Sequence, residues 1–304
     1  MDNKNTALRI LQEVLNLTPL EILRFPTGYC HSVYYVKAES GEFVLRITND
    51  KNKEYYLGSV HFLPKLKRLG IPVPDIINHG RFEDVFYALL SLIPGKDLGV
   101  VYSELNPLQK RNIAKELSVI QTKASALPPG ELYGNGSFAT WGEYLEGLLN
   151  RSRERIQKNK IFEPGLCDNI AIIMRRFNDY FRMIKPTAFL DDITTKNVLI
   201  HEGKLSGIVD VDEICYGDNL LVTGLTNMAL LLAQSDTDYI DFWLDEAGAD
   251  KLQRKVVAFY SLLFCADFMG EQGMRFDNGN VVEIDGEKVN LLKIIYTKLI
   301  NSMP

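Results

Sequence analysis

The chain has 304 residues, of which 46% are hydrophobic and 24% charged. That balance belongs to a folded globular protein and excludes a disordered or fibrous one. At about 150 residues per domain, the length allows two domains or one two-lobed unit. A net charge of −5 disfavours a nucleic-acid surface, which would be basic. No apolar run approaches the roughly 18 to 20 residues that span a bilayer, and residues 1–5 lack the basic-then-apolar form of a signal peptide. The expectation is a cytoplasmic protein with no membrane and no nucleic-acid partner. The four cysteines form no C-x-x-C pair, and the four histidines give no zinc-ligand spacing. Reduced thiols are the plain reading.

In chain order, residues 7–17 carry apolar side chains at helical spacing. Two β-rich runs follow, 33–36 and 43–47, with Ser40-Gly41 as a hairpin signal. Residues 52–69 read as a helix, ended by Gly70-Ile71-Pro72-Val73-Pro74. Residues 75–79 and 85–93 read as two more strands, the second broken by Pro94-Gly95. Beyond Gly95 the texture turns helical. Asn106, Pro107 and Gln109 form a start signal, with a capping residue, proline at the first helical position and glutamine at the third. Helices are expected to 127, over 141–158 and 166–184, and across most of 219–302. Between them lies a strand-like pair, 198–200 and 205–209, about the turn Glu202-Gly203-Lys204. The reading is an α+β chain. A β-rich part, residues 1–94, precedes a mostly helical part, residues 95–304.

The negative charge is uneven. Asp191, Asp192, Glu202, Asp210, Asp212, Glu213 and Asp218 face only Lys196 and Lys204 in one short window, and the rest of the chain balances. Asp192 stands five residues before Asn197. A short strand, a tight turn and a second strand then deliver Asp210 back towards Asn197. Two carboxylates and an amide oxygen suit a hard cation such as Mg²⁺. The remaining carboxylate of the two can orient a hydroxyl nucleophile and accept its proton, as in phosphoryl transfer outside the P-loop class. No G-x-x-x-x-G-K-[ST] occurs. A calcium loop is excluded because Ile214 and Tyr216 fall at later ligand positions.

Leu190-Asp191-Asp192-Ile193-Thr194-Thr195-Lys196-Asn197-Val198-Leu199, then Val209-Asp210 and Gly217-Asp218, resembles the catalytic region of the aminoglycoside phosphotransferase family. That family is the small-molecule kinase branch of the protein-kinase-like fold, near the choline-kinase-type enzymes. The resemblance extends over residues 20–235. It implies a two-lobed fold, with an antiparallel-sheet lobe carrying one main helix and a larger helical lobe. It also implies an ATP- or GTP-dependent kinase that uses Mg²⁺ and phosphorylates a hydroxyl of a small molecule. An acidic cleft would suit a cationic acceptor. By the same resemblance Asp192 is the catalytic base, and Asn197 and Asp210 are the magnesium ligands. Gly28 and Ser32 fall in the nucleotide loop, Arg46 on the strand that holds the phosphates, and Ser91 and Ile93 in the hinge that binds adenine. Glu54 is the candidate helix partner of Arg46.

Three departures stand out. Leu190 replaces a histidine that braces the catalytic loop in relatives. Asp191 places a second carboxylate beside the base. Arg46 stands where kinases in general have lysine; its guanidinium can clasp phosphate bidentately. Asp212 and Glu213 fall near the expected acceptor side. Asp267, Glu271 and residues 273–278 end a long helix, and the two readings are a solvent-facing helix end, which is preferred, and the wall of an acceptor pocket. Asp218 either braces the loop or touches substrate. The histidines His31, His61, His79 and His201 have no partner assignable from sequence. The rival reading is a nucleotide-binding pseudokinase or interaction module without transfer activity, which Leu190 favours and the retained Asp192, Asn197 and Asp210 oppose. A protein kinase fits less well, since no Ala-Pro-Glu segment occurs and no room remains after Asp218 for an activation loop.

Overall fold

The structure, a computed structural model, describes residues 4–25, 31–274 and 282–303. Gly28 and its neighbours from Thr27 to Cys30 lie outside the described residues, as do Arg275, Phe276, Asp277 and Asn278. The chain forms two compact units. The first is Met1–Gly95 with Ser206–Glu213, and the second is Lys96–Leu205 with Ile214–Pro304. The Asp210 segment thus belongs to the first unit, whereas the sequence reading had placed it in the helical part.

In the first unit α1 (Lys4–Arg9) continues as a π-helical turn over Ile10–Val14. Five strands follow: β1 (Pro19–Arg24), β2 (His31–Ala38), β3 (Gly41–Asn49), β4 (Ile76–Phe82) and β5 (Val85–Ser91). They form one sheet in the order β1-β2-β3-β5-β4, with antiparallel neighbours. Helix α2 (Lys53–Arg68) lies between β3 and β4 in sequence. Strand β1 has no counterpart among the expected elements. Pro19, Glu21 and Arg24 interrupt its apolar run, and an edge strand pairs on one side only.

Side chains alternate along a strand, so the sheet has two distinct faces. Tyr34, Val36, Leu45, Ile47, Tyr87 and Leu89 close one core with Ala7, Ile10 and Leu11. Arg46 and Thr48 take the opposite parity on β3 and so project to the other face. Phe86, cross-strand from Thr48, packs there against Tyr56 of α2, ring centroids 4.9 Å apart. Ser206–Glu213 is tied to this unit by the Ile208 N–H, which donates to the Pro72 carbonyl at 2.8 Å. The Ser206 hydroxyl donates to the Pro94 carbonyl at 2.6 Å.

The second unit opens with β6 (Lys96–Asp97), α3 (Leu98–Val101) and α4 (Pro107–Ala124). Asn106 and Gln109 cap α4 reciprocally, each side chain bonded to the other's backbone N–H at 3.0 Å. Next come α5 (Trp141–Asn159), α6 (Gly165–Arg175) and α7 (Asn178–Met183). Residues 166–184 are therefore two helices and not one. The chain tightens to i→i−3 bonds at Arg176 and Phe177, which breaks the periodicity. Strand β7 (Ala188–Phe189) pairs with β10 (Cys215–Tyr216), and β8 (Val198–His201) pairs with β6. A tight turn at Glu202-Gly203, both at positive φ, leads from β8 into β9 (Lys204–Ile208), the strand in which the chain leaves this unit. Helices α8 (Leu220–Leu232), α9 (Asp238–Glu246), α10 (Lys251–Glu271) and α11 (Gly286–Asn301) complete it.

The core of this unit gathers around Trp141. Its indole N–H donates to the Tyr260 hydroxyl at 2.9 Å. That hydroxyl and the one of Tyr180 both donate to Asp218 Oδ2, at 2.9 and 2.8 Å, and the Leu220 N–H donates to Oδ1 at 3.1 Å. Burial pushes the Asp218 carboxyl up, against these three donors. Asp218 is thus a buried brace. Gly217, at φ 148°, has the Trp141 ring where a Cβ would be. Among the described residues no helix is long and apolar enough to cross a membrane.

Candidate active site

In the first unit the site is built around a buried cation. Arg46 sits in mid-β3 with its guanidinium on the α2 side of the sheet. It donates to Ser59 Oγ at 3.2 Å, Asp210 Oδ1 at 2.9 Å and Asp212 Oδ2 at 2.7 Å. Ser59 Oγ in turn donates to Asp212 Oδ1. On the far side His31 Nε2 lies 2.7 Å from Asp212 Oδ2, and His31 Nδ1 lies 2.7 Å from Thr48 Oγ1. His31 and Thr48 are cross-strand partners on the Arg46 face, so sheet register alone sets that contact.

Burial pushes the Asp212 carboxyl up, but the charge of Arg46 and the bonds from His31 and Arg46 outweigh it. The carboxyl is held well below the usual carboxylate range. Burial and the Asp212 charge push the neighbouring Glu213 up. Asp210 is the more exposed acid, its side chain 50% accessible against 12% for Asp212. Its backbone is left-handed, φ 60°, a conformation that a non-glycine residue rarely takes and that clusters at functional sites.

Glu54 does not provide the helix partner of Arg46. It is exposed in the first turn of α2, and the α2 side chain that reaches Arg46 is Ser59. Five residues at about 100° each turn the helix some 140°, so Glu54 and Ser59 cannot share a face. The acid that sequence reasoning sought on α2 comes instead from Asp212. Gly58 allows this. A Cβ there would run into the Asp212 carbonyl oxygen, so only glycine lets that backbone lie against the helix.

His31, Asp210 and Asp212 each offer a ligand atom, all within 4.8 Å of one another. The single charge of the Arg46 guanidinium is already shared between both carboxylates in this arrangement. Of the expected nucleotide residues, Ser32 lies on β2 opposite Ile47. Ser91 ends β5; its N–H donates to the Asp75 carbonyl and its hydroxyl accepts from the Asp75 N–H, both at 2.9 Å. Ile93 is half-buried, with its side chain against Gly207.

In the second unit Leu190 leaves β7 and opens the loop that carries Asp192. The exposed Asp192 is bound by one amide: Asn197 Nδ2 donates to its carboxylate Oδ2 at 2.8 Å and to its carbonyl at 2.9 Å. The Gly99 N–H donates to the Thr195 carbonyl at 2.8 Å, and Asn197 N–H closes a turn on Thr194. Burial pushes the Tyr144 phenol up, and Cys215 and Asp191 add to it. Lys196 opposes burial at both Asp97 and Glu271. Asp267 Oδ1 accepts from Arg155 at 2.9 Å and from Arg151 and Ser152 at 3.3 Å. Two other histidines have partners: His79 Nδ1 lies 3.0 Å from the Tyr56 hydroxyl, and His61 contacts Lys65.

An antiparallel sheet with one main helix, a mostly helical second unit and an Asp-x-x-x-x-Asn loop define a protein-kinase-like fold. The sequence matches the phosphotransferase enzyme family over residues 21–220, and the chain belongs to that family. Among solved structures it is similar to a thermostable mutant of the aminoglycoside phosphotransferase APH(4)-Ia in ternary complex with AMP-PNP and hygromycin B. That match has TM-score 0.67 and 14% identity, covering 98% of each chain. The streptomycin–ATP ternary complex of APH(2'')-IIa matches with TM-score 0.66 and 11% identity, over 100% of this chain and 97% of the other. A protein of Haemophilus somnus 129PT provisionally named fructosamine-3-kinase matches with TM-score 0.65 and 12% identity, over 98% and 96%. No curated protein matches the sequence.

Two substitutions test the first-unit network. In an ordinary helix interior Gly→Ala stabilises by about 0.5–1 kcal/mol. Gly58→Ala should instead destabilise, because its methyl meets the Asp212 carbonyl; a gain in urea denaturation would show that the two do not touch. Asp212→Ala should cost about 3–5 kcal/mol at pH 7, the penalty for leaving Arg46 buried without its buried partner. The Asp212 carboxyl is depressed, so its contribution is present above about pH 4 and falls as the pH drops. The stability gap between the parent and Asp212→Ala should therefore narrow, without closing, from pH 7 to pH 3, read from urea midpoints.

Proposed function

We propose that this phosphotransferase uses ATP (or GTP) and magnesium to transfer the γ-phosphoryl group to a hydroxyl of a small molecule. The observation that carries the reading is the double bond-up of Asn197 to Asp192. One amide nitrogen orients the carboxylate suited to take a hydroxyl proton. The amide's remaining group is a carbonyl oxygen, a hard donor. Carboxylate and amide oxygens are the donor types that magnesium takes while keeping phosphate and water ligands, so Asn197 and Asp210 fit the ion by their chemistry and would be the residues that hold it. When bound, magnesium neutralises charge on the phosphate oxygens. Asp210 would exchange its Arg46 bond for that role.

Asp192 would align the acceptor hydroxyl and accept its proton. Arg46, oriented by Asp212, would hold the phosphates. Gly28, Ser32, the Ser91 carbonyl and the Ile93 N–H would bind the nucleotide, leaving residues 95–304 to form the acceptor side. The chemistry rests on alignment and charge neutralisation. Exposed carboxylate at the loop suits a cationic acceptor. Aminoglycosides such as hygromycin B and streptomycin, which two of the structural relatives hold, therefore head a panel that also includes sugars and amino alcohols.

The panel is tested with Mg·ATP and product mass. ATP binding without a phosphorylated product from any acceptor would favour the pseudokinase. Asp192→Ala should lower transfer about 10²- to 10⁴-fold, the usual worth of a general base, with nucleotide affinity unchanged; activity within a few-fold of the parent would remove Asp192 from that role. Asp210→Asn keeps a residue type that tolerates the left-handed backbone, so the fold should persist. Its magnesium requirement for nucleotide binding should rise, and an unaltered magnesium titration would count against Asp210 as a ligand.

A further inference from the structure

Leu190 opens the loop that carries Asp192, and its side chain offers no hydrogen bond. Its backbone N–H and carbonyl are nevertheless buried and both are matched. Gln121 Nε2 donates to the Leu190 carbonyl at 2.8 Å, and Gln121 Oε1 accepts from the Leu190 N–H at 3.0 Å. A primary amide is suited to this, since it sets one donor and one acceptor side by side as a neighbouring strand would. We infer that Gln121 is the positioning residue of the Asp192 loop, doing through the Leu190 peptide what a polar side chain at position 190 would otherwise do. The inference rests on the reading of Asp192 as the base.

Three features make Gln121 a rigid brace. It is 3% exposed and sits on α4 among Leu117, Ile120 and Ala124, all buried. Helix α4 is itself fixed at its start by the Asn106–Gln109 capping box. Swinging the amide away would leave four buried polar groups, two on each partner, without their bonds. The peptide so fixed lies two residues before Asp192. Asn197 holds Asp192 from the other side, and the Gly99–Thr195 bond holds the loop between them. With Gln121 bound, Asp192 has little freedom to leave the geometry in which it meets a hydroxyl.

The test uses the full-length protein with Mg·ATP as donor, and hygromycin B as acceptor or water if no acceptor on the panel is phosphorylated. Gln121→Met keeps the side-chain length and removes both bonds. Gln121→Glu keeps the acceptor for the Leu190 N–H and removes the donor. The expected result is a kcat lowered about ten- to hundredfold in Gln121→Met, as misplacement of a catalytic group by about 1 Å costs, and at least as much in Gln121→Glu at pH 7, where an ionised carboxylate would face the Leu190 carbonyl. KM for ATP should stay within about twofold of the parent in both, the mark of an interaction that acts on the chemical step. Should Gln121→Met not fold, the loss of kcat in Gln121→Glu decides. Unchanged kcat in a folded variant overturns the inference. So does a fall in kcat matched by lost ATP affinity and a lowered melting temperature, which marks a purely structural amide. Asp192→Ala run in parallel separates the two claims. If that variant stays active, the reading of Asp192 has failed. If it is inactive while Gln121→Met turns over like the parent, only the brace has failed.

Discussion

A guanidinium cannot shed its charge, so Arg46, buried on β3, must be met by carboxylate wherever the chain can bring one. Nothing on the sheet face supplies it, since the nearest cross-strand neighbours of Arg46 are Val33 and Ala88. Helix α2 supplies a hydroxyl, from Ser59. The acid arrives from a segment more than 160 residues later in the sequence, Ser206–Glu213, which joins this unit and not the one that contains its sequence neighbours. Once it is there the remaining choices follow. Ser59 and His31 complete the shell of the Asp212 carboxylate, and Gly58 clears space for its backbone. The pair is a weak source of stability compared with an apolar core. Its value is that one buried charge forces β2, β3, α2 and the Asp210 segment into a single arrangement.

The second unit meets a similar demand with neutral groups. Asp218 is nearly inaccessible and has no cation beside it among the described residues, so two tyrosine hydroxyls and a backbone N–H share it, and Trp141 fixes one of those tyrosines. Burial raises its carboxyl while hydrogen bonding lowers it. The two buried aspartates thus differ by environment alone. Asp212 is held ionised by charge, and Asp218 is tuned by hydrogen bonds.

Local signals made much of this legible in the sequence. The alternating runs of β2, β3 and β5, the Asn106 box of α4 and the turn at Glu202-Gly203 depend on nearest neighbours, and a sequence carries those directly. Strand β1 was hidden because an edge strand need not show an apolar face, and the break between α6 and α7 because a short tightening leaves no residue signature. The Asp192–Asn197 spacing marked a loop whose two ends do meet. The partner of Arg46 was harder. A helix acid was the natural expectation, and Glu54 was the one on offer. Only the rotation of α2 shows that it faces the wrong way, and rotation is fixed by packing. Gly58 next to Ser59 was the available clue, since glycine inside a helix is costly unless something must come close. Gln121 gave no signal at all: a glutamine in an amphipathic helix looks like a surface residue until its neighbours are known.

The excess of acid between Asp191 and Asp218 looks in sequence like one site. The fold divides it. Asp212 is cancelled by Arg46, and Asp218 is withdrawn into hydrogen bonds. Asp191 adds to the field on Tyr144, and Glu202 merely turns the chain. The more exposed acids with a directed partner are Asp192, bound by Asn197, and Asp210, bound by Arg46. These two differ from Asp212 and Asp218 because each is held in orientation while remaining exposed. An oriented but solvent-accessible carboxylate can exchange its protein partner for a substrate hydroxyl or a metal at small desolvation cost, whereas a buried one cannot. Charge count therefore overstates the accessible acid in this window, because burial and internal partners withdraw Asp212 and Asp218 from it.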